Sequence, residues 1–194
     1  MSDIRKQDII LAGVGGQGIL SIAFVIDTAA LRDGLFVKQA EVHGMAQRGG
    51  AVTSHLRLSH DRIWSDLIPR GAADLIISVE PLEALRYLDF LKPGGRVVTS
   101  SAPFINIPDY PDKAALLARI KAIPGSIIVD SETLAKQAGS GRAQNTVMLG
   151  AASRYLLPGE DRLKECIRIL FEKRGDKILE ANMKAFEAGK QAAA

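Results

Sequence analysis

Apolar residues along this chain fall into short continuous runs separated by amphipathic stretches, and that alternation predicts an α/β fold. Asp8–Ala12 is a short apolar run ending at Gly13 and reads as a buried strand. From Ile19 to Leu31, the apolar positions Ile19, Leu20, Ala23, Phe24, Ile26, Ala30 and Leu31 cover much of one helical surface. Gly34 stops that helix. Phe36–Val42 reads as a second strand, so the chain opens as a βαβ unit. Residues 52–58 then alternate, with Val52, Ser54, Leu56 and Leu58 against Thr53, His55 and Arg57, the pattern of a half-buried strand. Ser59–Arg62 supplies a turn, and Ile63–Leu67 is expected to return antiparallel as a hairpin.

The rhythm of strand and helix then resumes. Leu75–Val79 is a β-branched buried run, followed by a helix over Pro81–Leu91 with proline in its first turn. Arg96–Thr99 is another strand, Ser101–Pro111 a loop, Lys113–Ala122 a helix and Ser126–Val129 a strand. Ser131 is placed to cap a helix running to Ala138. From Asn145 onward the chain is helical: Val147–Leu157, then Arg162–Lys173 and Lys177–Lys190, with breaks at Pro158–Gly159 and Gly175. The Ala-rich tail Gln191–Ala194 is expected to fray. The fold expected is a doubly wound, mostly parallel sheet with an antiparallel hairpin insertion and a helical C-terminal region. Residues 1–158 would form the α/β domain and 159–194 a helical extension of it.

Composition narrows the function. With 194 residues, 47% of them hydrophobic and 24% charged, the chain is long enough for one packed core and is not of disordered composition. Aromatics at 5% argue against a stacking platform for single-stranded nucleic acid, and a scattered net charge of +3 is no DNA-binding footprint. No stretch approaches the ~18 apolar residues of a membrane span, and the N-terminus lacks a signal-peptide layout. The expectation is a cytoplasmic protein with no nucleic-acid or membrane partner. The single cysteine, Cys166, excludes an iron–sulfur cluster, a thiolate zinc site or a disulfide framework held by this chain alone. It falls among Leu163, Ile167 and Leu170 and reads as a small buried hydrophobe.

One motif carries chemistry. Gly13-Val14-Gly15-Gly16-Gln17-Gly18 matches G-x-G-x-x-G between a predicted strand and a predicted helix. Glycines there allow positive φ, and the helix N-terminus offers N–H groups to an anion. The same glycines equally serve a tight turn and close helix–sheet packing. A dinucleotide reading also needs an acid at the end of the second strand, for which Glu41 is the nearest candidate. The segment Glu41–Gly50 adds His43, a candidate general base or turn cap, and Arg48, a candidate for bidentate anion binding. His55 and His60 need no more than solvent exposure to explain them. Gly141–Thr146 is a polar loop opening an apolar helix; Asn145 or Thr146 can cap that helix, or reach across to the glycine loop or to a partner chain.

With GVGGQGI, EVHGMAQRGGAVTSHLR and NTVMLGA in this order, the chain resembles the gamma domain of the 2-oxoacid:ferredoxin oxidoreductases. The HGMAQRGG wording is most similar to the small beta subunit of the indolepyruvate enzymes. The resemblance implies a complex that decarboxylates a 2-oxoacid to an acyl-CoA and passes electrons to ferredoxin. It further implies a large alpha subunit holding thiamine diphosphate, Mg2+ and the iron–sulfur clusters. This chain lacks the family's G-D-G…N magnesium motif and would be inactive alone, binding no metal. On the same resemblance Gly13, Gly15, Gly16, Gln17, Gly18, Arg48 and Asn145 would face coenzyme A or the partner subunit. The readings left beside it are a stand-alone NAD(P)-binding oxidoreductase, and the gamma subunit of a pyruvate- or 2-oxoglutarate-type enzyme.

Overall fold

The structure, a computed structural model, describes residues 5–41 and 49–194. Six strands join in one sheet: β1 (Lys6–Val14), β2 (Phe36–Glu41), β3 (Ala51–Ser59), β4 (Ala73–Ser78), β5 (Leu91–Ser100) and β6 (Ile127–Val129). Their order is β2-β3-β1-β4-β5-β6. Strands β1, β4, β5 and β6 pair in parallel, whereas β3 runs antiparallel to both β1 and β2. The expected mostly parallel α/β sheet is therefore present. Central β1 is apolar on both faces because both are covered: Ile9 and Leu11 enter one core, Ile10 the other.

The antiparallel partner of β3 differs from expectation. Ile63–Leu67 forms no strand; β3 pairs instead with β2, back across the 42–50 connection, and inserts between β2 and β1. Nor is β3 half-buried. Its polar face is covered by the irregular segment 61–70, which takes up the side chains of His55 and Arg57. Buried Arg57 grips the Asp8 carboxylate at 2.8 Å and donates to the carbonyls of Ser65 (2.9 Å) and Leu67 (3.0 Å). His55 is also buried, contrary to the exposed reading. Its Nδ1 accepts from the Ile68 N–H at 3.0 Å, its ring meets Phe90 edge-on, and burial followed by the nearby Arg57 charge lowers its pKa. His60 is exposed.

Helices cover both sheet faces. On one lie α1 (Ile19–Arg32), α5 (Gln144–Ala152) and α6 (Glu160–Phe171), with α4 (Ser131–Gln137) beside them and α7 (Asp176–Ala192) packed on α5. On the other lie α2 (Pro81–Arg86) and α3 (Lys113–Lys121), closing on Ile10, Ile76 and Val97 through Ala84 and Ile120. Asp130, not Ser131, caps α4, its carboxylate accepting from Thr133 N–H at 3.0 Å, which lowers its pKa. Ser131 is turned inward and shares a hydrogen bond with Ser100. The tail does not fray: α7 runs to Ala192, and Ala193 is buried. Cys166 is fully buried, and burial pushes its thiol pKa up. Among the described residues no helix is long and apolar enough to cross a membrane.

Candidate functional site

The two helix layers diverge at one place in the sheet. From β1 the chain turns into α1 on one face, and from the neighbouring parallel strand β4 it turns into α2 on the other. Loops leaving such a pair separate, and a crevice opens beyond the strand C-termini, where open α/β sheets bind ligands. Here that crevice is a cleft of about 1020 Å³, entered past Gly16 and Gly18 on one side and Pro103 and Phe104 on another. A volume of that order accommodates an extended small molecule.

The glycine loop is built tightly. A Cβ on Gly13 would stand 2.6 Å from Val79 Cγ2 and 2.9 Å from Ile19 Cγ2, so this glycine serves packing at the switch point and is not offered to a ligand. The turn is closed by Gln17 N–H on the Val14 carbonyl (3.0 Å), and the Gln17 side-chain oxygen accepts from Val14 N–H at 2.7 Å. Gly15 is consumed as well. Its N–H donates to Gly50 and its carbonyl accepts from Gly49, extending the β1–β3 ladder. Gly16 and Gly18, both at positive φ, are the exposed members at the cleft. Gly18 precedes α1, whose first turn carries no side-chain cap. That end therefore presents backbone donors and the positive end of the helix dipole to the cleft.

Asn145 does not cap α5. From the first turn of that helix it reaches across, its Nδ2 donating to the Gly18 carbonyl (2.8 Å) and to Ser21 Oγ (2.9 Å). Thr146 turns the other way, donating to Asn182 on α7. The structure thus joins the Gly141–Thr146 loop to the glycine loop, one of the contacts the sequence left open. His43 and Arg48 lie outside the described residues.

Other residues of the site carry no local sequence signal. Glu80, fully buried just after β4, accepts from Glu83 N–H, from Phe104 N–H at 3.3 Å and from the Tyr110 hydroxyl. Desolvation and that carboxylate push the Tyr110 pKa up. Asn106 ties the same 101–111 loop to the Gly49 carbonyl at 2.5 Å. The wall of the cleft also includes Leu170 and Phe171 at the end of α6, Arg174, Ile178 on α7, and Arg142 ahead of α5. Arg142 belongs to the loop read from the sequence, but only the fold carries it to this wall.

A dinucleotide site fits poorly. With β3 inserted, β2 lies two strand spacings, about 10 Å, from β1. Glu41 pairs with Ser54, which pairs with Leu11, so it also falls short of the glycine turn along the strand direction.

Comparison with known proteins agrees with this geometry. The family model for pyruvate ferredoxin/flavodoxin oxidoreductase matches residues 8–192. The chain is 39% identical to the indolepyruvate oxidoreductase subunit IorB of Thermococcus kodakarensis, covering 98% of this chain and 97% of that one. It is 37% identical to the subunit of the same name from Pyrococcus horikoshii, at 98% and 97% coverage. Among solved structures, the 2-oxoglutarate:ferredoxin oxidoreductase of Magnetococcus marinus, with 2-oxoglutarate, coenzyme A and succinyl-CoA bound, superposes with a TM-score of 0.77 at 27% identity. The match spans 98% of this chain and 31% of that longer one. Likeness from the first strand to the last helix, on a sheet whose switch point carries the glycine turn, establishes that the chain belongs to the pyruvate ferredoxin/flavodoxin oxidoreductase family.

Proposed function

We propose that the chain is the small subunit of an indolepyruvate-type 2-oxoacid:ferredoxin oxidoreductase working in the cytoplasm. Its large partner carries thiamine diphosphate, Mg2+ and the iron–sulfur clusters and delivers electrons to ferredoxin. The observation that carries this reading is the end-to-end likeness to indolepyruvate oxidoreductase subunits, at 39% identity over 98% of the chain. The lone thiol supports the division of labour: Cys166 is sealed among Leu163, Ile167 and the α1 face, where it can ligate nothing.

The chain's own contribution is the cleft, which takes coenzyme A. Gly16 and Gly18, with the uncapped start of α1, suit a phosphate group. Asn145 holds their loop in place through the Gly18 carbonyl. Bound there, coenzyme A supplies the thiol that accepts the acyl group; this chain binds and orients it. The test is reconstitution. Indolepyruvate-dependent, coenzyme A-dependent reduction of ferredoxin is expected from the chain combined with its cluster-bearing partner, and from neither alone. Full turnover by the partner without this chain would refute the reading.

A further inference from the structure

The irregular segment 61–70 is pinned along its length. Asp61 N–H donates to Ser59 Oγ at 3.0 Å, Arg57 holds the carbonyls of Ser65 and Leu67, and His55 accepts from Ile68 N–H. Ile63 and Ile68 are its buried anchors. What this scaffold holds outward is apolar: Trp64 is 80% exposed and Leu67 60%. The Arg62 guanidinium lies over the Trp64 ring at 4.3 Å, a cation–π contact that steadies the indole. A fixed, exposed tryptophan beside a leucine is the kind of group that anchors an interface.

The charges around it decide what fits. Near the ends of the segment they are satisfied within the chain, Asp61 by Arg5 at 3.1 Å and Arg70 by Asp89 at 3.5 Å. Between them, Arg62 and Asp66 are exposed, and neither meets an oppositely charged side chain among the described residues. Asp66 lies near His55, but burial lowers the pKa of that imidazole and keeps it neutral at pH 7. An open cation and an open carboxylate thus stand two residues to either side of Trp64. A uniformly acidic surface would satisfy Arg62 and repel Asp66, and a uniformly basic one the reverse. The patch is instead complementary to itself. Turned about a two-fold axis through Trp64, Arg62 meets Asp66 of the second copy, and Asp66 meets its Arg62.

We propose that segment 62–67 is an isologous contact between two copies of this chain. Trp64 lies at the axis, Leu67 flanks it, and two Arg62–Asp66 pairs close the rim. No residue of 61–70 lines the cleft, so both clefts stay open in the dimer. The inference is independent of what the cleft binds.

The full chain tests it directly, because Trp64 is its only tryptophan. Sedimentation equilibrium should show a monomer–dimer equilibrium, with Trp64 emission moving to shorter wavelength over the same concentrations. R62D and D66R each set like charges face to face at two symmetry-related places, and each should weaken the dimer about tenfold or more. R62D/D66R re-forms both pairs with their signs exchanged and should recover most of that loss. W64A should leave a monomer. All three side chains are exposed, so circular dichroism and the melting of the monomer should hold. A monomeric wild-type chain overturns the proposal, as does a dimer whose Trp64 emission stays that of an indole in water. A double variant no tighter than the single ones overturns the pairing. Fluorine NMR of the fluorotryptophan-labelled chain extends the test to the assembled complex. Burial of Trp64 only when the large partner is added overturns the second copy and gives this surface to that partner.

Discussion

Helices α5 and α7 cross with almost no room between their backbones, and Gly189→Ala tests what that closeness is worth. A Cβ at Gly189 would lie 1.9 Å from the Val147 carbonyl oxygen, and one at Gly150 would lie 2.0 Å from that of Phe186. Two effects oppose each other in the alanine variant. Helix propensity favours alanine over glycine by about 1 kcal/mol. Against that, the carbon and oxygen must part by about 1.5 Å to reach van der Waals contact, which loosens the packing of neighbours across the crossing. Those neighbours include Val147, Ala185 and Phe186, all fully buried. Overpacking typically costs about 1–3 kcal/mol where side chains can yield, and occasionally more. Backbone faces the new atom here, so the cost belongs at the upper end. The net expectation is a loss of about 2 kcal/mol or more, a melting temperature lowered by roughly 4–8 °C for a chain of this size. Urea and thermal unfolding followed by circular dichroism measure it. Gly150→Ala should behave alike, and the double variant should cost less than the sum, because one separation of the helices relieves both clashes. A Gly189→Ala protein melting at or above wild type would refute the reasoning.

Three further outcomes follow from the buried polar groups. Asp27 on α1 has a buried Oδ1 without a hydrogen-bond partner among the described residues, and burial, then the Glu41 charge, raises its pKa to about 7. The folded value lies above the unfolded one of about 3.9, so its protonated form favours the fold and stability falls as pH rises towards 7. Asp27→Asn should flatten that decline, worth about 2 kcal/mol between pH 5 and 8 in denaturant titrations; an unchanged slope would count against it. Arg57→Ala leaves the buried Asp8 carboxylate with the half-exposed Lys6 as its remaining cation, at 2.8 Å, and releases the carbonyls of Ser65 and Leu67. A loss of about 3–5 kcal/mol is expected, with new protease cleavage within 61–70; a variant within ~1 kcal/mol of wild type would show that the ion pair is dispensable. Glu80→Ala removes the acceptor shared by Phe104, Tyr110 and Glu83. Hydrogen exchange should rise across 101–111 while β1 amides stay protected, and uniform loss of protection would contradict a local tether.

Local pattern made much of this protein legible. Every strand of the sheet and the helix after the glycine turn overlap the apolar runs and periodicity that predict them, because those signals depend on near neighbours alone. The bounds differ in places: β5 starts at Leu91, ahead of the expected Arg96, and α2 ends at Arg86 instead of Leu91. The burial of Cys166 followed from the same periodicity. The pairing of β3 did not. Ile63–Leu67 looks like a returning strand, yet Trp64 and Leu67 are exposed while Ile63 and Ile68 are buried, no period of two. Its backbone carbonyls are taken by Arg57, a partner several residues away that no local window reveals.

The site divides along the same line. The sequence by itself determined that a glycine turn joins a buried strand to a helix, since strand, turn and helix are contiguous. Only the tertiary structure decided which glycines face the cleft: Gly13 is claimed by Val79, Gly15 by Gly49 and Gly50, and only Gly16 and Gly18 remain exposed. It alone brought Arg142, Arg174 and Phe171 into the same cleft, from segments remote from the turn along the chain. Those placements are long-range contacts, fixed by how the core closes.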